Sequence, residues 1–265
     1  MKTIGHITKE FLHLSETFVL RQIVQNQWFR NVVFTSKRKN EHLFPALDLI
    51  EIHNKADLAK ALEQSRVDLI HAHFGPSALY ALSAKKKLGI PMLTFIHGYD
   101  ARQYPNRTPK KMKQYIELFE VGELFAVPSE AIKQQLIALG CPTEKVIVCH
   151  LGVDLSFRFR PRTLDNGEIR LISVGRLVEK KGHNHLIQAL SIVQKQIPNF
   201  HLTIIGEGAE REELTALIAR LGLEEKVSLL GGQSHSKVLN ELDRSHIFCL
   251  ASVTGQDGNM EGLPV

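Results

Sequence analysis

The sequence predicts an α/β protein made of two parallel-sheet units. Three observations carry this. Short apolar runs alternate with amphipathic segments along almost the whole chain, which is the pattern of repeated strand–helix units. The alternation breaks once, at residues 154–168 (DLSFRFRPRTLDNGE), where Pro161, Gly167 and mixed charges leave no periodicity. The unusual polar residues mostly fall just after the apolar runs, where parallel sheets present their βα loops.

The elements follow in order. Strands are expected at Thr3–Ile7, Asn31–Thr35, Asp68–Ala72, Met92–Ile96, Leu124–Val127 and Lys145–Cys149. Helices are expected between them at Glu16–Trp28, Lys55–Gln64, Pro76–Leu88, Pro109–Phe119 and Glu130–Leu139. Ser129 is placed to cap the last helix, because its hydroxyl can accept an orphan helix N–H. Gly140 is placed to stop that helix. After the break, strands at 169–174, 200–205, 226–230 and 246–250 alternate with helices at 183–197, 209–221 and 235–243. The reading is thus one domain over 1–155, a linker over 156–168 and a second domain over 169–265. Ligands in such folds sit at the carboxyl ends of strands, and two facing units would place a site in the cleft between them.

Bulk properties narrow the function classes. The 265 residues are 43% hydrophobic and 23% charged, an ordinary globular balance. A net charge of +5 suits an anionic ligand or surface. Nucleic acid has little support, since aromatics are 7% and do not interleave with the basic runs. The basic clusters Lys37-Arg38-Lys39, Lys85-Lys86-Lys87 and Lys110-Lys111-Met112-Lys113 read as solvated loops or helix ends. Cys141, Cys149 and Cys249 form no C-x-x-C pair, so a reducing cytoplasm is expected. No apolar run approaches the ~20 residues that span a bilayer, and any membrane contact is expected to be peripheral.

The stretch Leu171–His185 (LISVGRLVEKKGHNH) carries the strongest chemical signal. A buried-type strand ends at Gly175. Arg176 and the Lys180-Lys181 pair follow, and Gly182 opens a helix. Helix-start N–H groups favour a phosphate, arginine forks onto its oxygens and lysine adds a point charge. The alternative is an ordinary βα loop with solvated bases. Ser15-Glu16-Thr17 follows the first strand and reads locally as a cap with a first-turn acid. In His71-Ala72-His73-Phe74-Gly75 the H-x-H pair points both rings to one face of a strand. No Cys or Glu cluster nearby completes a metal site, so no metal is expected. His97-Gly98-Tyr99-Asp100 follows the strand LTFI, and a histidine there can bond a sugar hydroxyl or simply satisfy its own loop. Gly206-Glu207-Gly208 lacks the third glycine of a dinucleotide fingerprint and reads as a tight turn. Ser252–Pro264 is glycine-rich and carries Asp257 and Glu261, acceptors of the kind that sugar hydroxyls pair with.

Taken together, VGRLVEKKG, GEG and the terminal EGLPV resemble the family 4 glycosyltransferases. SETF, HAHFG, HGYD and HLGVD resemble the branch that makes exopolysaccharides such as colanic acid. The resemblance covers the whole chain and implies the GT-B arrangement, two Rossmann-like domains facing a cleft. It implies that Arg176 and Lys181, with Gly175, hold the diphosphate of a nucleotide-sugar donor. It implies that Glu261, with Gly262 and Leu263, contacts the donor sugar, and that His97 reaches the transferring sugar. Ser15, Glu16 and Thr17 fall on the acceptor side. Transfer with retention, without metal or other cofactor, is implied. Side chains would then stabilise the charge that develops on the leaving diphosphate. The family pattern continues beyond EGLPV to a second glutamate, so the second domain is expected to be incomplete here.

Three readings compete at this point. One is a retaining transferase, inactive or weakened in shortened form, that moves a hexose to a glycan or lipid-linked acceptor, in the cytoplasm or at an anionic inner membrane face. The second is a sugar-nucleotide epimerase. The third is a non-catalytic fragment that binds an anion or partner.

Overall fold

The structure is a computed structural model that describes residues 1–13, 16–40, 47–152, 162–164, 167–258 and 260–263. Most of the expected linker, and Ser15, lie outside the described residues. The chain divides into two compact units, one of residues 1–154 with 262–265 and the other of residues 155–261.

Among the described residues the first unit carries seven strands: β1 (Thr3–Thr8), β2 (Arg30–Thr35), β3 (Leu49–Glu51), β4 (Leu69–His73), β5 (Met92–Phe95), β6 (Leu124–Val127) and β7 (Val146–Val148). Their order in the sheet is β3-β2-β1-β4-β5-β6-β7, and every described pairing is parallel. The strand order reverses between β1 and β4. The helices are α1 (Thr17–Val24), α2 (Lys55–Gln64), α3 (Gly75–Leu88), α4 (Tyr99–Asn106), α5 (Pro109–Val121) and α6 (Glu130–Ala138). Hydrophobic burial from both strands and helices, including Phe34, Ile70, Met92, Tyr115, Phe119 and Phe125, forms the core.

Local chemistry explains where several helices start and stop. Ser129 Oγ accepts the Ile132 N–H at 3.4 Å, and Gly140 takes φ +99°, so the expected cap and stop of α6 are both present. Asn54 caps α2 and Thr108 caps α5 in the same way. Expected α1 is shorter than its sequence pattern, ending at Val24. Two elements escape the sequence pattern. Strand β3 is only three residues long, and α4 carries Pro105 and few apolar residues.

The second unit has β8 (Ile169–Val174), β9 (Phe200–Ile205), β10 (Val227–Leu229) and β11 (Ile247–Phe248), in the order β10-β9-β8-β11, again parallel. Its helices are α7 (His183–Val193), α8 (Arg211–Arg220) and α9 (His235–Arg244). Leu177, Ile187, Leu202, Ile204, Leu214 and Leu223 form the centre of its core. The order reverses between β8 and β11. Each unit therefore has one place where the loops after two neighbouring strands diverge, the geometry that opens a crevice for ligands.

Candidate functional site

In the second unit the loops of interest follow β8 and β11. The loop 175–182 runs from β8 through a 3₁₀ turn (Glu179–Lys181) to Gly182, which starts α7. The loop after β11 is tied to it at several points. The Val253 N–H donates to the Lys180 carbonyl at 3.0 Å, and the Gln256 N–H donates to the Glu179 carboxylate at 3.0 and 3.1 Å. Gly182 sits at φ +65°, and a Cβ there would lie 1.8 Å from the Ala251 carbonyl oxygen, so only glycine lets the two loops meet.

The charged residues converge on this place. Glu261 stands between two lysines, with Oε1 3.2 Å from Lys180 Nζ and Oε2 3.2 Å from Lys181 Nζ. All three side chains are largely buried. Arg176 is exposed and makes no ion pair among the described residues. The group carries a formal charge of +2 once Glu261 is counted against the three bases. The Gly175 N–H donates to the Ile205 carbonyl at 2.9 Å. What Gly175 supplies is therefore space rather than a free donor, since an added Cβ would lie 3.2 Å from the Lys181 stem.

The GEG turn after β9 supports this loop from beneath. An added Cβ on Gly206 would lie 1.8 Å from the Gly175 carbonyl oxygen, and one on Gly208 would lie 2.2 Å from that of Leu177. Glu207 accepts the Gly232 N–H at 3.2 Å and pairs with Arg211 at 3.3 Å. The motif thus shapes the basic loop by close backbone packing.

In the first unit the candidate residues gather at the carboxyl ends of β1, β4 and β5. The His97 ring is wedged among aromatic rings, with centroids 4.7 Å from Phe18, 4.6 Å from Phe74 and 4.6 Å from Phe95. Its Nε2 is buried without a hydrogen-bond partner. Burial pushes its pKa down to about 3, so the ring is neutral at physiological pH. Phe18 follows Glu16 and Thr17 at the start of α1, so this segment adjoins His97. Gly262 packs directly on the same loop. A Cβ there would lie 2.0 Å from the His97 carbonyl oxygen, and the Gly262 carbonyl accepts from Ser129 Oγ at 3.0 Å. Leu263 follows it in the chain.

Two residues of this region were not assigned a role from sequence. Asp100 is fully buried and collects three backbone donors, from Gly75 at 2.9 Å, His97 at 2.9 Å and Gly98 at 3.0 Å. Burial raises its pKa while those N–H groups pull against the rise. It clamps the His97 loop to the start of α3. Phe74 holds φ +72°, a region L residues rarely adopt, and presents its ring to His97. The signal available for both was their place in HGYD and HAHFG.

The sequence shows no Cys or Glu cluster beside His71 and His73, but the fold adds a third histidine. His6 on β1 stands beside them, and one nitrogen from each of the three lies within 4.8 Å of the others. The pairing of β1 with β4 spans more than sixty residues of sequence and was not visible in either motif.

The sequence signature of Glycosyltransferase Family 4 matches residues 20–157, more than half of the chain, and that of Glycosyl transferases group 1 matches residues 156–265. The chain belongs to glycosyltransferase family 4. It is 37% identical to the amylovoran biosynthesis glycosyltransferase AmsK of Erwinia amylovora over 202 residues, covering 75% of this chain and 49% of AmsK. It is also 37% identical over 208 residues to WcaL of Escherichia coli K12, named for colanic acid biosynthesis, covering 76% of this chain and 50% of WcaL. The chain spans about half the length of these curated relatives. Among solved structures it is similar to Anabaena HepE in complex with UDP and glucose, with a TM-score of 0.76 at 19% identity over 95% of this chain and 74% of that one. Sucrose-phosphate synthase from Thermosynechococcus elongatus gives a TM-score of 0.78 at 16% identity over 100% of this chain and 77% of that one. At these identities the likeness is one of fold, the GT-B class expected from the sequence. Among the described residues no helix of this family member is long and apolar enough to cross a membrane.

Proposed function

We propose that this chain takes part in moving a hexose, with retention, from a nucleotide-sugar donor to a glycan or lipid-linked acceptor in polysaccharide assembly. The observation that carries the proposal is the cationic group after β8. Exposed Arg176 and the Lys180–Glu261–Lys181 cluster sit at the strand ends where the order of the second sheet reverses. Family membership, the biosynthetic names of AmsK and WcaL, and the UDP and glucose in the HepE structure support the same reading.

In this reading Arg176 and Lys181 bind the donor diphosphate, with the α7 N-terminus adding partial positive charge. As the glycosidic bond breaks, negative charge builds on the leaving phosphate, and bases fixed in place stabilise it without reorganising. Glu261 holds both lysine heads in position and offers a carboxylate to sugar hydroxyls, together with the Gly262 and Leu263 segment. Neutral His97 can exchange a hydrogen bond with a hydroxyl of the transferring sugar. Glu16 and Thr17, and with them Ser15, are assigned to the acceptor side. No metal or cofactor is assigned to the transfer itself.

Two basic clusters of the first unit are partly matched by local acids: Lys85 with Glu123, Lys86 with Glu117, Lys39 with Glu10 and Arg38 with Glu51. Any contact with an anionic membrane face would fall to the residues left over, such as Lys110 and Lys113. The test is calorimetric titration with a panel of UDP- and GDP-sugars, followed by assays of nucleotide release with and without acceptor glycans. Saturable binding that is weakened far more by Arg176→Glu than by Lys195→Glu, on the exposed end of the α7 region, supports the proposal. Absence of binding to every nucleotide sugar, or epimerised sugar formed without acceptor, would replace it.

A further inference from the structure

We infer that His6, His71 and His73 form a binding site for a borderline-soft divalent transition cation of the Zn²⁺ type. The inference is independent of the donor site, which lies in the other unit.

The sheet brings the three rings together. β1 and β4 pair in parallel at the reversal of strand order, and His6 stands directly opposite His71 in the register. His73 lies two residues further along β4 and so shares the face of His71. The ring centroids are 5.2 Å apart for His6 and His71, 5.3 Å for His6 and His73, and 4.2 Å for His71 and His73. His6 and His73 are buried to 1% and 0% exposure. Three imidazoles with no carboxylate or thiolate among them suit zinc, nickel, copper or cobalt rather than calcium or magnesium.

The hydrogen bonds set the state of His6. Asn31 Nδ2 donates to the Asn26 carbonyl at 2.7 Å and to the Phe29 carbonyl at 3.2 Å. That orients the amide, so it is Asn31 Oδ1 that faces His6 Nε2 at 3.0 Å. An amide oxygen only accepts, so Nε2 carries the proton and Nδ1 presents its lone pair. Metal-bound histidines are commonly oriented in this way by an acceptor on the far nitrogen. The free Nδ1 lies 3.1 Å from His73 Nε2. Two nitrogens on one tetrahedral zinc stand about 3.4 Å apart, given Zn–N bonds of about 2.0–2.1 Å.

A hydrogen-bond chain alone accounts for only part of this cluster. His73 Nε2–H can donate to His6 Nδ1, but His73 Nδ1 and His71 Nε2 remain buried without a partner. Such orphaned groups are rare in folded proteins and call for an explanation. A cation held by one nitrogen of each ring gives the His71 lone pair a partner. It would also fasten β1 to β4, immediately before the Phe74–Gly75 segment that Asp100 joins to the His97 loop.

The test uses the whole chain, freed of metal by a chelator and titrated with Co²⁺ and then Zn²⁺. The expected result is one equivalent bound, with the intense visible absorption of four-coordinate cobalt, its displacement by zinc, and a rise of several degrees in the unfolding midpoint. Imidazole ¹⁵N spectra of the unmutated protein should show metal shifts at His6 Nδ1 and at one nitrogen each of His71 and His73. His71→Ala should abolish the cobalt band, while His235→Ala on the exposed face of α9 should leave it intact. The inference is overturned if the unmutated chain binds no stoichiometric metal, if the shifts fall only on surface histidines, or if folded His71→Ala binds as before.

Discussion

The two units place their candidate residues at equivalent positions and equip them in opposite ways. In the first, His97, in the loop after β5, is surrounded by aromatic rings and held neutral by burial. That unit's buried carboxylate Asp100 is consumed by three backbone N–H groups. In the second, the loop after β8 carries exposed Arg176 and two lysines that flank Glu261 from the segment after β11. The surroundings of His97 exclude charge, and the loop after β8 concentrates it. Buried neutral groups favour uncharged hydrogen-bonding partners, and exposed fixed bases favour anions.

This contrast can be broken most severely in the glycine scaffolds. Gly206→Ala would drive a Cβ to within 1.8 Å of the Gly175 carbonyl. We expect it to destabilise the second unit by about 3 kcal/mol or more, with hydrogen-exchange protection of the first unit unchanged. Gly89→Ala in the first unit, where φ is +66° but nothing lies within 4 Å, should cost only about 1 kcal/mol. Similar losses from both would show that close packing of GEG on the basic loop is not what its glycines provide.

Asp100→Asn comes next. Asparagine keeps the shape but replaces one acceptor oxygen by a donor amide, leaving at least one of the three N–H groups unmet. About 2 kcal/mol should be lost, read from thermal or denaturant unfolding. An unchanged midpoint would remove Asp100 as the clamp on the His97 loop.

The pH dependence sharpens the comparison further. His97 binds a proton more weakly folded, with a pKa of about 3, than unfolded near 6.5. Its contribution is therefore complete above pH 6.5 and is lost as the pH falls toward 3. At pH 5.5 this amounts to about 1 kcal/mol. His97→Phe should reduce the acid lability of the first unit by that amount, measured as the difference in unfolding free energy between pH 7 and pH 5.5. An unaltered difference would mean the ring is not held neutral.

The smallest effect belongs to the basic clusters. The Lys86–Glu117 pair is about half exposed on both sides. Lys86→Met should change stability by less than about 0.5 kcal/mol. A larger change would give that cluster a structural role the account denies it.

Much of the fold was legible in the sequence because its signals are local. The strands 124–127, 169–174 and 200–205 and the helix 55–64 fall on their expected bounds, since apolar runs and caps lie within a few residues of each other. Strand β3 was too short to show a pattern, and α4 hides behind Pro105. Of the site, Arg176 and the lysine pair were visible as a motif. Glu261, eighty residues away, was visible in the EGLPV motif as a sugar contact, but its pairing with both lysines is a product of the fold. His6 and Asp100 illustrate the same limit. Their roles depend on which strands become neighbours and which N–H groups a turn leaves free; HGYD marks the place of Asp100 but not its three donors, and nothing near His6 marks its neighbours.

The central claim, that charge recognition resides in the second unit and neutral contacts in the first, is tested most directly by titrating UDP alone into three proteins. These are the unaltered chain, Arg176→Ala and His97→Phe. Arg176→Ala is expected to weaken UDP binding by about tenfold or more, while His97→Phe stays within about twofold of the unaltered chain. Equal losses in both variants, or a loss confined to His97→Phe, would contradict it.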